Sequence, residues 1–156
     1  MTNTASNISD PIRIREASTL DGEIVAQLIE ELADAMGERV ALTPEYVRVF
    51  LAYPGSHILL AEQNGAVAGL LSYTIRPNLY HAENCCMVDE VVVAGKARRR
   101  GIGKALVERL VQQAREAGCA EASLSVLPGN IPAQEFYKTL GFEDEALLME
   151  MHFKRG

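Results

Sequence analysis

Three side chains in this sequence have the chemistry to move protons, and one stretch has the chemistry to hold an anion. Asp89 and Glu90 interrupt the otherwise apolar run from Cys85 to Ala94. A carboxylate there can take a proton from a cationic nucleophile. An alkyl amine, with a pKa near ~10.4, is neutral in fewer than about one molecule in a thousand at pH 7, so an amine nucleophile needs such a base. Neighbouring strand residues point to opposite sides, so one of the two carboxylates would reach a given cleft. Asp89 shares strand parity with Val91 and Val93, whereas Glu90 has the longer reach, and both stay candidates. Either could instead recognise a cationic substrate or serve in a structural pair. Tyr137 carries a phenol that remains protonated at neutral pH and can donate to a leaving group. Its other reading is an aromatic packed beside Phe136.

The anion-holding stretch is Arg98-Arg99-Arg100-Gly101-Ile102-Gly103-Lys104. Its glycines let backbone approach a ligand closely, and successive N–H groups at a helix start make a nest for phosphate. Five cations fall between Lys96 and Lys104 on a chain whose formal net charge is −6. A positive spot on a negative protein suits a specific anionic ligand and argues against nonspecific nucleic-acid binding. The stretch is not a P-loop: Ala105 follows Gly103-Lys104 where Ser or Thr would stand, and no glycine sits five residues before Gly103. A dinucleotide-binding GxGxxG after the first strand is also missing.

The elements that must position these residues can be read from periodicity and punctuation. Ile12 to Arg15 alternates as a first strand, and Asp21 to Met36 reads as a helix closed by Gly37. Thr43-Pro44 starts a second helix, which Tyr53-Pro54-Gly55 ends. Ser56 to Glu62 and Ala66 to Arg76 are strands joined by the Asn64-Gly65 hairpin turn. A loop from Pro77 to Glu83 carries Tyr80 and His81, and the long strand Cys85 to Ala94 follows. Gly101 to Ala117 is an amphipathic helix, with Ile102, Leu106, Leu110 and Ala114 on one face. Ser123 to Val126 reads as a strand, Asn130 to Leu140 as a short helix ended by Gly141. Leu147, Met149, Met151 and Phe153 alternate as a final strand. The order β-α-α-β-β-β-α-β-α-β predicts a mixed α/β (α+β) sheet covered by helices.

Arg98-x-x-Gly101-x-Gly103, directly after a strand, resembles the coenzyme A loop of the Gcn5-related N-acetyltransferase (GNAT) superfamily. Asn130-x-x-Ala133-x-x-Phe136-Tyr137-x-x-x-Gly141-Phe142 resembles that family's later motif, in the family's order. The resemblance spans Ile12 to Phe153, by layout alone in the N-terminal half. It implies a mostly antiparallel twisted sheet of about six or seven strands flanked by about four helices. It also implies that Arg98, Arg99, Arg100, Gly101, Ile102, Gly103 and Lys104 hold the phosphates of acetyl-CoA. Val91, Val92 and Val93 would run along the pantetheine arm, with Asn130, Ile131, Pro132 and Ala133 lining it from the other side. Tyr137 would be the general acid at the departing sulfur, Asp89 or Glu90 the base, and Tyr80 and His81 part of the acceptor pocket. The Asp-Glu pair and the Asn-x-x-Ala-x-x-Phe-Tyr run point within the family toward the diamine acetyltransferase-like branch.

The activity this predicts is transfer of an acetyl group from acetyl-CoA to a primary amine by direct attack in a ternary complex. The acceptor class is a small cationic amine, an amino acid or a polyamine. Two other readings stay open: a non-catalytic acyl-CoA sensor, and an acetyltransferase acting on a protein N-terminus or lysine. At 156 residues the chain is expected to form one domain over 11–156 behind a flexible tail at 1–10. No apolar run approaches the ~18 residues that span a bilayer, and residues 1–10 are polar, so no membrane partner and a cytoplasmic location are expected. Cys85, Cys86 and Cys119 are odd in number and lack CxxC spacing, which reads as reduced structural thiols. The three histidines show no metal-ligand spacing, and no metal is expected. The alternating final strand offers an edge through which a homodimer would form.

Overall fold

The computed structural model describes residues 10–153. The expected tail therefore lies outside the described residues except for Asp10. Five strands form one sheet in the order β1-β2-β3-β4-β5: β1 Arg13–Glu16, β2 Ser56–Gln63, β3 Ala66–Asn78, β4 Glu83–Val93 and β5 Cys119–Leu124. Every pairing is antiparallel except β4 with β5, which is parallel. Four helices accompany them: α1 Gly22–Ala35, α2 Pro44–Ala52, α3 Ile102–Glu116 and α4 Ile131–Thr139. A parallel pair needs a crossover, and α3 supplies it. No helix among the described residues is long and apolar enough to cross a membrane.

Local signals set most of these boundaries. The Thr43 side chain accepts the Tyr46 N–H at 3.2 Å, and Pro44 occupies the first turn of α2. Asn64 and Gly65 both take positive φ at the β2–β3 hairpin. Strand β3 runs past the expected end at Arg76 to Asn78. Because β2 ends opposite Thr74, Pro77 lies where only β4 is a neighbour, and its missing N–H breaks no ladder with β2.

The sheet buries a different core on each face. Val25, Leu28 and Val47 of α1 and α2 pack on Ile58, Leu60, Leu70 and Val92. On the other face Ile102, Leu106 and Leu110 of α3 pack on Leu59, Leu71, Tyr73, Cys86 and Val88. A single irregularity in β4 decides which residues belong to which face. Ser72 pairs with Glu90 but Tyr73 pairs with Val88, so Asp89 is an extra, unpaired residue: a β-bulge. Cys86 and Val88 face α3 before the bulge, and Val91 and Val93 face it after. The residues facing α3 are thus even-numbered before the bulge and odd-numbered after it, so no single parity holds along the whole of β4.

Two strand expectations are corrected. Strand β5 covers Cys119–Leu124 rather than Ser123 to Val126, since its partner residues on β4 run only from Asn84 to Val88. The expected strand over Leu147 to Phe153 is not formed, which brings the sheet to five strands rather than six or seven. Leu147, Met149, Met151 and Phe153 are 79–84% exposed, so an alternating apolar face without a partner does not order as a strand.

Helix α3 approaches the sheet closely at Gly69. A Cβ there would stand 2.7 Å from the Val92 carbonyl oxygen and 3.0 Å from Ile102 Cγ2. Gly69→Ala is expected to lower stability by about 1–3 kcal/mol, as overpacking does. A urea-denaturation midpoint measures this, and an unchanged midpoint would show that the approach tolerates a methyl group.

Candidate active site

Beyond Val88 and Leu124 the parallel strands part, and β4 continues alone to Val93. One edge of that last stretch is bonded to β3. The Glu90 N–H donates to Ser72 Oγ at 3.1 Å, and the Ala94 N–H donates to the Ala68 carbonyl at 2.8 Å. Backbone N–H groups alternate in direction along a strand, so Val91 and Val93 direct theirs to the edge that β5 has left. An extended ligand laid along this edge would add a pseudo-strand.

The chain next forms a helical turn at Gly95–Ala97 and enters the basic loop. Arg99 (φ 64°) and Gly101 (φ 81°) both adopt left-handed backbone, the alternation that gathers N–H groups into a concavity. Gly101 caps α3 without a side-chain hydrogen bond, so the first N–H groups of the helix keep no intrahelical partner. Among the described residues no carboxylate pairs with Lys96, Arg98, Arg99 or Arg100, while Lys104 lies 3.8 Å from the exposed Glu108. The loop thus concentrates uncompensated positive charge at a helix N-terminus.

A cavity of about 410 Å³ joins the open edge to this loop. Val91, Val92, Val93, Arg98, Arg99, Gly101, Ile102, Gly103 and Lys104 line it, together with Glu31, Leu32 and Ala35 of α1 and Phe136 of α4. Nine of the sequence-derived positions are therefore brought together. Asp89, Glu90, Arg100, Asn130, Ile131, Pro132, Ala133 and Tyr137 are not among the lining residues. Asn130 instead caps α4, accepting the Ala133 N–H at 3.2 Å. Tyr137 adjoins the cavity through Phe136, with ring centroids 5.1 Å apart, and its ring also meets Phe142 at 5.9 Å. Burial raises the Tyr137 phenol above its ordinary pKa, which keeps it protonated. Among the described residues nothing hydrogen-bonds its hydroxyl.

The two carboxylates separate at the bulge. Glu90, opposite Ser72, is half-buried on the α1/α2 side of the sheet, whereas the unpaired Asp89 is exposed. Ser72, 4% exposed, donates its hydroxyl to Glu90 Oε2 while accepting the Glu90 N–H. Desolvation raises the Glu90 pKa most. The Ser72 hydrogen bond opposes that rise, and the negative charge of Asp89 adds to it. Desolvation raises Asp89 as well, despite its exposure, because the neighbouring chain still displaces water from one side.

Tyr80 and His81 lie in the turn before Glu83, six strand residues from Asp89, or about 20 Å at a rise near 3.3 Å per residue. The structure does not bring them to the cavity. Sequence reasoning missed Ser72, Glu31, Leu32 and Ala35. Leu32 carried a signal as an apolar residue on the α1 stripe, and Phe136 stood inside the quoted motif. Ser72 had none, since only the register with β4 sets it opposite Glu90.

The family described as "Acetyltransferase (GNAT) family" matches residues 25–142. A thialysine N-epsilon-acetyltransferase of Bos taurus is 30% identical over 145 residues, covering 85% of each chain. An aminoalkylphosphonate N-acetyltransferase of Salmonella typhimurium is 31% identical over 130 residues, covering 83% of this chain and 84% of its own. A crystal structure described as a transcriptional regulator from Bacillus halodurans C-125 superposes with a TM-score of 0.78 at 28% identity, covering 92% of this chain and 100% of that one.

A Cβ at Gly101 would meet no atom within 4 Å, so the space it points into is open to a ligand. Gly101→Glu is therefore expected to fold, at a cost of about 1–2 kcal/mol for left-handed backbone. It should lose pyrophosphate-type anion binding at least tenfold. Calorimetric titration checks this, and wild-type anion affinity in the folded variant would remove the loop from the site.

Proposed function

The chain belongs to the acetyltransferase (GNAT) family, and on that footing we propose that it transfers the acetyl group of acetyl-CoA directly to a primary amine of a small molecule. The observation that carries this reading is the continuity of the site. The open edge of β4, with its outward Val91 and Val93 N–H groups, runs without interruption into the basic nest at the start of α3. A ligand matching both is long, extended and amide-bearing at one end and polyphosphorylated at the other. Coenzyme A fits on three counts: first-turn N–H groups without intrahelical partners, three arginines without carboxylate partners among the described residues, and the open space beside Gly101.

Bound acetyl-CoA supplies an acetyl thioester. Arg98, Arg99 and Lys104, with the N–H groups from Arg99 to Lys104, hold the phosphates through charge-assisted hydrogen bonds. Val91 and Val93 anchor the arm, and an N–H on this edge offers the acetyl oxygen a donor, the arrangement that stabilises developing oxyanion charge. Glu90 takes the proton from the incoming ammonium group. Its raised pKa makes it a better base than an ordinary carboxylate, and the Ser72 hydrogen bond limits that rise. Asp89, exposed at the bulge, adds negative charge that draws a cationic acceptor. Tyr137 would donate its phenolic proton to the sulfur as the amine nitrogen bonds to the acetyl carbon and the carbon–sulfur bond breaks, and would regain a proton from that nitrogen as the amide forms. No cysteine is needed as a nucleophile.

The named relatives act on thialysine and on aminoalkylphosphonates. Both names imply a primary amine on a short chain that also bears an acid group, which favours a small amino-acid-like acceptor over a protein. The test is free-thiol release from acetyl-CoA against a panel of lysine analogues, aminoalkylphosphonates, polyamines and N-terminal peptides. Turnover with the small amines is expected; acetyl-CoA binding without thiol release on any amine would sink the catalytic reading.

Tyr137→Phe should lower kcat by about 10²-fold or more, the scale of a lost general acid, with acetyl-CoA affinity nearly unchanged. Glu90 works deprotonated, so kcat/KM should fall as pH drops through its raised pKa. In Ser72→Ala the hydrogen bond that lowers that pKa is gone, and the acid limb of the kcat/KM profile should move to higher pH. An acid limb unchanged in Ser72→Ala and in Glu90→Gln would remove Glu90 as the base.

A further inference from the structure

The turn that carries His81 lies far from the acetyl-transfer cavity, yet it assembles a second cluster of ligating side chains. His81, Cys85 and Glu121 place one nitrogen, one sulfur and one oxygen all within 4.8 Å of one another. The three come from separate elements: the β3–β4 turn, β4 and β5. Cys85 and Glu121 are register partners across the parallel β4–β5 pair, so the sheet itself sets two of them side by side. The turn supplies the third. The His81 N–H donates to Asn78 Oδ1 at 3.1 Å, Ala82 takes left-handed backbone (φ 53°), and the Tyr80 ring stands edge-on to the imidazole at 5.2 Å. These contacts aim His81 Nε2 at Glu121, where it lies 3.3 Å from Oε2.

We propose that His81, Cys85 and Glu121 form a binding site for a zinc-class divalent ion, separate from the acetyl-transfer site. Imidazole, thiolate and carboxylate together suit a borderline transition ion and not magnesium or calcium, which prefer oxygen ligands. A tetrahedral ion with usual zinc bond lengths holds such donor atoms about 3.3–3.6 Å apart. The His81–Glu121 separation already has that value, and closing on Cys85 Sγ from within 4.8 Å takes a shift of up to about 1.2 Å. The imidazole and carboxylate side chains are 31% and 49% exposed, so an ion enters from solvent, and water completes the fourth position. Binding displaces the Cys85 thiol proton to solvent. Cys86 is no competitor: it faces the α3 core, where burial pushes its thiol up to about 12. A bound ion would tie β4 to β5 on the paired side of the point where they part.

Cobalt(II), added at one equivalent to the chelator-treated, tag-free full chain, is the probe. A site of this kind gives a near-ultraviolet thiolate-to-cobalt charge-transfer band and intense visible d–d bands, both abolished by one equivalent of zinc. His81→Gln and Glu121→Gln alter exposed groups and should keep the fold while weakening zinc at least tenfold by calorimetry. Cys85→Ser should remove the charge-transfer band, and Cys119→Ser should leave it intact. Zinc should also raise the melting temperature of the wild type, by linkage to the folded state, and not that of His81→Gln. The proposal is overturned if the band does not form, if it follows Cys119 instead of Cys85, or if zinc affinity is unchanged in both exposed variants. None of these outcomes bears on the acetyl-transfer reading, whose thiol-release assay uses no metal.

Discussion

The site depends on the parting of β4 from β5. Up to Val88 and Leu124 the two strands satisfy one another's backbone groups; beyond that point β4 keeps a row of polar groups on one edge that no strand among the described residues pairs. Unpaired backbone of this kind is a liability in most sheets. Here it opens beside a cavity whose far end is a cationic loop, so in the proposed function the liability becomes a binding surface. The bulge at Asp89 sits at the same place. By adding one residue to β4 it turns Glu90 toward the α1/α2 side of the sheet and Val91 and Val93 toward α3, and it bends the strand where the partner leaves.

Electrostatics divides the molecule in a way its net charge hides. The chain carries −6 overall, yet its arginine run meets no carboxylate within ion-pair distance among the described residues. Uncompensated charge at a helix N-terminus favours an anion through both the dipole and the exposed N–H groups. On β4, just outside the cavity lining, the sign reverses at Asp89 and Glu90, two carboxylates held above their ordinary pKa values. Desolvation does most of this for Glu90, and the buried Ser72 hydroxyl restrains it. In the proposed reaction that balance makes Glu90 a stronger base than an ordinary carboxylate.

Much of this organisation was legible along the chain. Helices α1 to α4 sit where periodicity, Thr43-Pro44, Asn130-Ile131-Pro132 and the glycines at 37, 118 and 141 set them, because caps and stripes act over one or two turns. The β2–β3 hairpin follows from Asn64-Gly65 alone. The nest followed from Arg98 to Lys104, since glycine placement and charge are local properties. Legibility failed where a partner decides the outcome. Leu147 to Phe153 alternates well but finds no strand to pair with among the described residues. The distance of Tyr80 and His81 from the cavity likewise follows from the length and course of β4 in the sheet and from no pattern within their own turn.

The amino-acid order by itself determined which residues could do chemistry and which short segments could present them: a basic N–H nest at a helix start, a phenol on a short helix, two carboxylates in an apolar strand. Those are consequences of dihedral preference, periodicity and side-chain type, and they need no distant contact. Only the tertiary structure decided how the candidates divide. The bulge that separates Asp89 from Glu90, the serine that clamps the latter and the meeting of His81, Cys85 and Glu121 all arise from strand register. Register is a relation between segments far apart in sequence, set by the packing of both sheet faces, and no local pattern encodes it.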